Sequence, residues 1–280
     1  MIPESRTFPR NSPVAFCLIL AGLCFFLAGC GKIKNAVQSL FHSKRASKAQ
    51  PAPHPSRPAV SGPRLAIILD DVAGDSTAVD AIFSLHYPLT LSILPNHPGS
   101  TEIAQEAHQR GYQVMLHLPM ESLANETPET QELRPGMSPP EVANVLNAML
   151  NSVPYAAGVN NHQGSLATSD TRLMAELMPV LRAHQLFFID SRTTAATIAY
   201  ESAQSAGVPC AFRNVPFLDD VQEIGAIRRQ LELAARGAHE KGQAIAIGHP
   251  HATTLRALSE FLPQAEAQGI HLVHASDLVH

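Results

Sequence analysis

Two adjacent acids, Asp70 and Asp71, close the apolar run Leu65–Leu69 in "RLAIILDDVAG" (residues 64–74). Five aliphatic residues in succession read as a strand buried on both faces. Neighbouring carboxylates at its end repel one another unless a cation lies between them or both stand in open water. The pattern recurs down the chain. "LTLSIL" leads into Asn96 and His97, "QVMLHL" carries His117 with Glu121 beyond it, and "AGVN" runs into Asn160, Asn161, His162 and Ser165. "LFFI" ends on Asp190, "PCAF" on Arg213, "AIAIG" on His249 and His251, and "IHLV" on His274 to Asp277. Carboxylates and imidazoles are the groups that ligate hard or borderline divalent metals and that move protons near neutral pH.

Singly, each feature has a blander explanation. An Asp-Asp pair serves turns and helix caps, a histidine at a strand end is commonly just a bonded polar group, and Asp190 before Ser191 suits an N-cap. His108, His184, His239 and His271 fall inside helical or strand stretches and read as structural or surface residues. Asp and His at several strand ends together are much harder to explain by turns.

The elements that must position these residues are rhythmic. Apolar runs begin near residues 65, 89, 113, 157, 186, 209, 243 and 270. Between them lie helical segments: "STEIAQEAHQRG" (100–111), "SPPEVANVLNAMLNSV" (138–153), with a Ser cap and Glu141 three residues on, and "IGAIRRQLELAARGAHEKG" (224–242), which stops on Gly. Strand–helix alternation at this spacing predicts a parallel sheet, as a (β/α) barrel or an open doubly wound sheet. In a barrel the C-terminal strand ends converge on one face, where barrel enzymes keep their active sites. The long irregular stretch 119–137 reads as a lid or substrate lip.

Composition narrows the chemistry. The 280 residues are 45% hydrophobic and carry a net charge of −4, which offers no basic surface for nucleic acid. No G-x-G-x-x-G follows the first strand, no P-loop occurs and no G-x-S-x-G elbow is present, which leaves nucleotide cofactors and an α/β-hydrolase unsupported. Tryptophan is absent, which excludes a sugar platform built on Trp stacking.

Arg6 and Arg10 precede the apolar run 14–29, and the run ends in "LAGC" at Cys30, similar to the lipobox of bacterial lipoproteins; a plain anchor helix is the alternative. On this reading residues 1–29 are a signal peptide, Cys30 is lipidated, and the Pro-, Ser- and Ala-rich residues 30–63 form a tether to a domain spanning 64–280. The domain then faces the far side of the inner membrane, in the periplasm of a diderm cell. Gly31 in place of Asp makes the outer membrane the default destination by resemblance. Cys210 is the single remaining thiol, so any metal site must use His, Asp or Glu.

"IILDDVAG", "HLPME", "GVNNHQGS", "FFIDSRT", "RNVPFLDD" and "AIGHPH", in this order, resemble the divergent polysaccharide deacetylase family, over residues 64–280. The family is a remote branch of the carbohydrate esterases that deacetylate chitin-like sugars and peptidoglycan. The resemblance implies a distorted (β/α) barrel of seven or eight strands. It implies Asp70 as general base and Asp71 as ligand of a divalent metal, most readily Zn2+. The wider superfamily's H-x-x-x-H stretch corresponds here to His117 through Glu121, with Glu in the second place, and His162 is the natural replacement. Adjacent strand residues point opposite ways, so Asp71 is expected to face the metal while Asp70 reaches the attacking water. His249 matches the family's late His, which protonates the leaving amine or holds the tetrahedral intermediate. Asp190 is expected to orient a His or to brace the residues behind the metal ligands, and Arg213 to bind an anionic group of the substrate. Glu121, Asn161, Ser165 and His251 are further candidates around the metal or the substrate. The superfamily's R-P-P-Y and D-x-x-D-W blocks have no counterpart. A metal-dependent deacetylase of an acetylated envelope glycan therefore stands beside two alternatives: a non-catalytic glycan- or protein-binding lipoprotein, and a hydrolase for another amide or a phosphate.

Overall fold

The computed structural model describes residues 61–124 and 128–280; the leader, Cys30 and most of the tether lie outside the described residues. Eight strands follow the eight apolar runs: β1 (Arg64–Val72), β2 (Thr90–Ile93), β3 (Gln113–Met120), β4 (Gly158–Gln163), β5 (Phe187–Asp190), β6 (Cys210–Phe212), β7 (Gln243–Gly248) and β8 (His271–Val273). Between them lie α1 (Ser76–Phe83), α2 (Ser100–Gln109), α3 (Pro139–Ser152), α4 (Thr171–Ala183), α5 (Ala199–Ser205), α6 (Ile224–Lys241) and α7 (Ala252–Ala267).

The sheet order is β6-β5-β4-β3-β2-β1-β7, with β8 paired to the first half of β1. Every pairing is parallel. Between β6 and β7 the seam is bridged by the segment after β6. There the Asn214 N–H donates to Ile245 O at 2.9 Å, Asn214 Oδ1 accepts from Ile245 N at 2.6 Å, and the Leu218 N–H donates to Ile247 O at 2.9 Å. The result is a nearly closed (β/α) barrel rather than an open sheet.

Alternation along the strands separates two cores. On β1, Leu65, Ile67 and Leu69 join the layer beneath the helices, while Ala66 and Ile68 fill the barrel with Met115, Phe187, Ile189, Ile245 and Ile247. Gly158 lacks a side chain where the Phe187 ring fills the lumen; a Cβ there would collide with the ring. The lower mouth is plugged by the turn Ala275–Leu278, whose Ala275 N–H donates to Thr90 Oγ1 and whose Ser276 N–H donates to Gln113 Oε1. Apolar side chains thus occupy the lumen below, and the polar residues of the strand ends lie above them.

Helix boundaries follow local signals. Ser138 and Glu141 form a capping box at the start of α3, with Pro139 in its first turn. The 119–137 stretch is anchored at its far end. Leu133 pairs with Met120, donating its N–H to Pro119 O and accepting from Glu121 N, each at 2.9 Å.

Candidate active site

The inward series on β1 runs Ala66, Ile68, Asp70, by the two-residue period of a strand. At its end the strand bulges. Its register with β2 shifts between Leu69 and Val72, and Asp71 adopts a left-handed backbone with φ of 57°. Asp tolerates that region better than most residues, and a bulge re-aims the side chains beside it. Both carboxylates therefore reach the same ring: His117 Nε2 lies 3.1 Å from Asp71 Oδ1 and 3.7 Å from Asp70 Oδ2. This corrects the expectation that simple alternation sends the two acids opposite ways.

On β3 the inward series continues from Met115 to His117, and on β4 from Gly158 through Asn160 to His162. Registry sets His117 beside Asn160 and Pro119 beside His162. His162 Nδ1 stands 2.9 Å from Asp71 Oδ1 and 3.1 Å from His117 Nε2. Asp71 Oδ1 is buried and makes no hydrogen bond of acceptable angle, although two ring nitrogens crowd it. A carboxylate and two imidazoles whose ligand atoms all fall within 4.8 Å of one another are a donor set suited to a divalent cation. The electrostatics agree. Burial would raise the Asp71 carboxyl, but His117 and His162 outweigh it and hold it well below the usual carboxylate range. Burial would likewise lower His117, yet Asp70 and Asp71 push it up to about 9. The cluster draws positive charge, and in the protein alone a proton on His117 supplies it.

Asn160, fully buried, ties this set to Asp70. Its Oδ1 accepts from His117 Nδ1 at 2.9 Å and from the Ser92 hydroxyl, while its Nδ2 donates to Asp70 Oδ1 at 2.8 Å and to Ser191 Oγ at 3.1 Å. Nδ1 keeps its proton on Asn160, so it is Nε2, facing Asp71, that would give up the second proton and present a lone pair if a cation took its place. Asp70 is buried, and burial raises its pKa.

Across from this set stands His249, at the end of β7. Its Nδ1 donates to Asp219 Oδ1 at 2.9 Å and its backbone N–H to Asp219 Oδ2 at 2.6 Å, so Nε2 faces Asp71 Oδ2 at 3.8 Å. Thr254 Oγ1 also donates to Asp219 Oδ2, at 2.8 Å. Gly248 allows the approach: a Cβ there would stand 3.1 Å from Leu218 Cβ and 3.4 Å from Asp219 Oδ2. Burial alone would lower the His249 pKa, but Asp219 outweighs it and the pKa is raised.

Other residues expected around the site serve elsewhere. Asp190 orients no histidine. It alternates away from the lumen and accepts from Arg192 N, Thr197 Oγ1 and Tyr200 N in the loop before α5. Arg213, expected to meet an anionic substrate, donates instead to the carbonyls of Ser191, Arg192 and Val215, and its guanidinium lies 4.0 Å over the Phe217 ring. Asn161 alternates outward and bonds Gln163 O and Ser191 N. Ser165 Oγ accepts from Leu123 N. Glu121 joins the 119–137 stretch to the turn after β4 through its backbone, its carbonyl accepting from the N–H groups of Leu166 and Ala167. His251 is exposed at the start of α7, with Gln222 Nε2 3.0 Å from its Nε2.

Asn160 and Asp219 bond directly to the candidate groups and were given no role by the sequence. Glu129 is a third such residue. From the 119–137 stretch it places Oε2 3.1 Å from His97 Nε2 and Oε1 4.0 Å from His162 Nε2.

The C-terminal rim of a parallel barrel thus gathers an Asp and two His suited to a divalent cation, with an acid–imidazole dyad beside them. The chain belongs to the divergent polysaccharide deacetylase family, whose sequence model matches residues 67–279. It is 38% identical over 225 residues to the uncharacterized protein YibQ of Escherichia coli strain K12, covering 80% of this chain and 70% of that one. An uncharacterized protein of Haemophilus influenzae is 38% identical over 195 residues, covering 70% of this chain and 69% of the relative. Among solved structures, an uncharacterized protein of Agrobacterium tumefaciens C58 shares the fold with a TM-score of 0.75 at 23% identity, covering 79% of this chain and 91% of that one.

Proposed function

We propose that this protein is a metal-dependent hydrolase that removes acetyl groups from N-acetylated sugars of an envelope polysaccharide or peptidoglycan. The observation that carries the reading is the convergence of Asp71, His117 and His162, with Asp70 on one flank and His249 on the other. Asp71, His117 and His162 would hold the divalent metal, and Zn2+ suits two imidazoles and a carboxylate. Such an ion, when bound, polarises the acetyl carbonyl and eases deprotonation of the attacking water.

The chain's own residues do the rest. Asp70 takes the proton of the attacking water; its burial raises the carboxyl pKa and favours holding that proton. Asn160 Nδ2, bonded to Asp70 Oδ1, leaves Oδ2 as the oxygen on the side of His117. His249 delivers a proton from Nε2 to the departing amine, while Asp219 fixes the opposite nitrogen and stabilises the imidazolium. The lipobox-like "LAGC" motif supports a lipid on Cys30 that holds the enzyme at a membrane facing the periplasm, near such glycans.

The test is zinc content by mass spectrometry together with acetate release from acetylated chitooligosaccharides and peptidoglycan. Stoichiometric zinc that is lost in both Asp71→Ala and His117→Ala, with acetate release in the wild type, supports the reading. Folded protein that cannot be loaded with any divalent metal overturns it in favour of a binding role.

A further inference from the structure

We infer that the chain has a second, weaker metal site on Asp219, His249 and His251, and that a cation bound there turns the hydrolase off. Ligand atoms of these three residues also lie within 4.8 Å of one another. The inhibitory half of the inference rests on the deacetylase reading; the site itself does not.

The donor set is partly built. Asp219 is buried and its Oδ2 accepts from His249 N and Thr254 Oγ1, which fixes the carboxylate in place. The other oxygen, Oδ1, bonds His249 Nδ1. His251 follows one residue beyond Pro250, and its N–H donates to His249 O at 2.8 Å in a tight turn that sets the two rings 5.9 Å apart, tilted by 38°. His251 is exposed and can turn toward the pair, giving up only its contact with the Gln222 amide. Two imidazoles and one carboxylate suit Zn2+, with open positions left for water.

Two features make this site the weaker one. A metal on His249 Nδ1 must displace the proton now shared with Asp219, which moves to Nε2 or to water. His249 Nε2 is also only 3.8 Å from Asp71 Oδ2, so a second cation is repelled by one already held near Asp71. Once Nδ1 is ligated, His249 no longer has Asp219 behind it to stabilise an imidazolium, and proton delivery to the amine fails.

The experiment is equilibrium dialysis of the untagged full chain, His117→Ala and His251→Ala against buffered free Zn2+, with bound zinc read by mass spectrometry. Wild type takes up about one equivalent at low free zinc and about one more at higher free zinc. His251→Ala loses only the second step and His117→Ala only the first. Other exposed histidines contribute equally to all three proteins and cancel in the comparison. With acetylated substrate, the second step lowers wild-type activity by about tenfold or more, and His251→Ala resists. A wild type without a second step, or a His251→Ala isotherm identical to it, overturns the inference and leaves the first site standing. Absence of the first step alone, with the second present and lost in His251→Ala, refutes the deacetylase reading and supports the second site.

Discussion

Asn160 Oδ1 lies 2.9 Å from His117 Nδ1, so a fully buried amide on β4 decides which nitrogen of the β3 histidine is turned toward Asp71. The same amide grips Asp70 through Nδ2. One side chain thus couples the Asp71–His117–His162 group to Asp70, and on the proposed function the two couplings separate by mutation. Asn160→Leu strands His117 Nδ1 and Asp70 Oδ1 in the core, at about 1–3 kcal/mol for each unsatisfied group. Zinc affinity in that variant falls by about 10–100-fold. Asn160→Asp keeps an acceptor for His117 but sets a second carboxylate against Asp70, so zinc is retained while acetate release falls. Competition against a calibrated chelator, beside acetate assays, checks both; equal zinc affinity in wild type and Asn160→Leu contradicts the assignment.

Asp219 serves the other half. Asp219→Asn keeps the shape but gives His249 a neutral partner, and acetate release drops by about 100-fold while low-zinc binding is unchanged. Gly248→Ala pushes Leu218 and Asp219 from the end of β7 and reproduces the defect in milder form. Loss of tight zinc in either variant would show that the two halves are not independent.

The capping box at α3 gives a pH signature away from the site. The hydroxyl and backbone N–H of Ser138 hold the Glu141 carboxyl below its ordinary value of 4.5. A lowered carboxylate pKa contributes stability above the ordinary value and loses it as the pH falls through the folded value. Glu141→Gln therefore lowers Tm more at pH 7 than at a pH below the ordinary carboxylate value, where the loss shrinks as Glu141 protonates. Thermal melts at the two pH values decide; equal shifts contradict a contribution from the carboxylate charge.

Burial pushes the Cys210 thiol up to about 11. In a chain with Cys17, Cys24 and Cys30 replaced by Ser, Cys210 stays unreactive toward a thiol-specific disulfide reagent at pH 8 and reacts in step with unfolding. Rapid labelling of the folded chain would show that the strand β6 opens independently of the barrel.

Much of the barrel was legible because parallel strands buried on both faces must be apolar throughout. The runs at Leu65, Leu116, Phe188 and Ile245 therefore stand out from the helices between them. The polar residues at the strand ends stood out for a related reason, since strand ends share a face, whereas the grouping of Asp71, His117 and His162 and the role of His249 came from the family resemblance. Side-chain parity was missed on β4. Counting by twos from Gly158 puts Asn160 and His162 inward and Asn161 outward, so the signal for Asn160 was present in "GVNNHQGS". The bulge at Asp71 had no such signal, since its φ of 57° is a backbone state that several sequences adopt. Asp219 sits in the irregular "RNVPFLDD" segment, placed by the closure between β6 and β7 rather than by its own neighbours. Arg213 misled because its partners are backbone carbonyls, which no residue type announces.

On the proposed function, the residues gathered at the barrel rim cleave an acetamide. The most direct measurement is acetate release, by proton NMR, from acetylated chitooligosaccharides and peptidoglycan, comparing zinc-loaded wild type with Asp70→Asn at matched zinc content. The expected result is release by the wild type and a loss of about 100-fold or more in Asp70→Asn. Equal release by the two proteins, or none from the zinc-loaded wild type on either glycan, would contradict it.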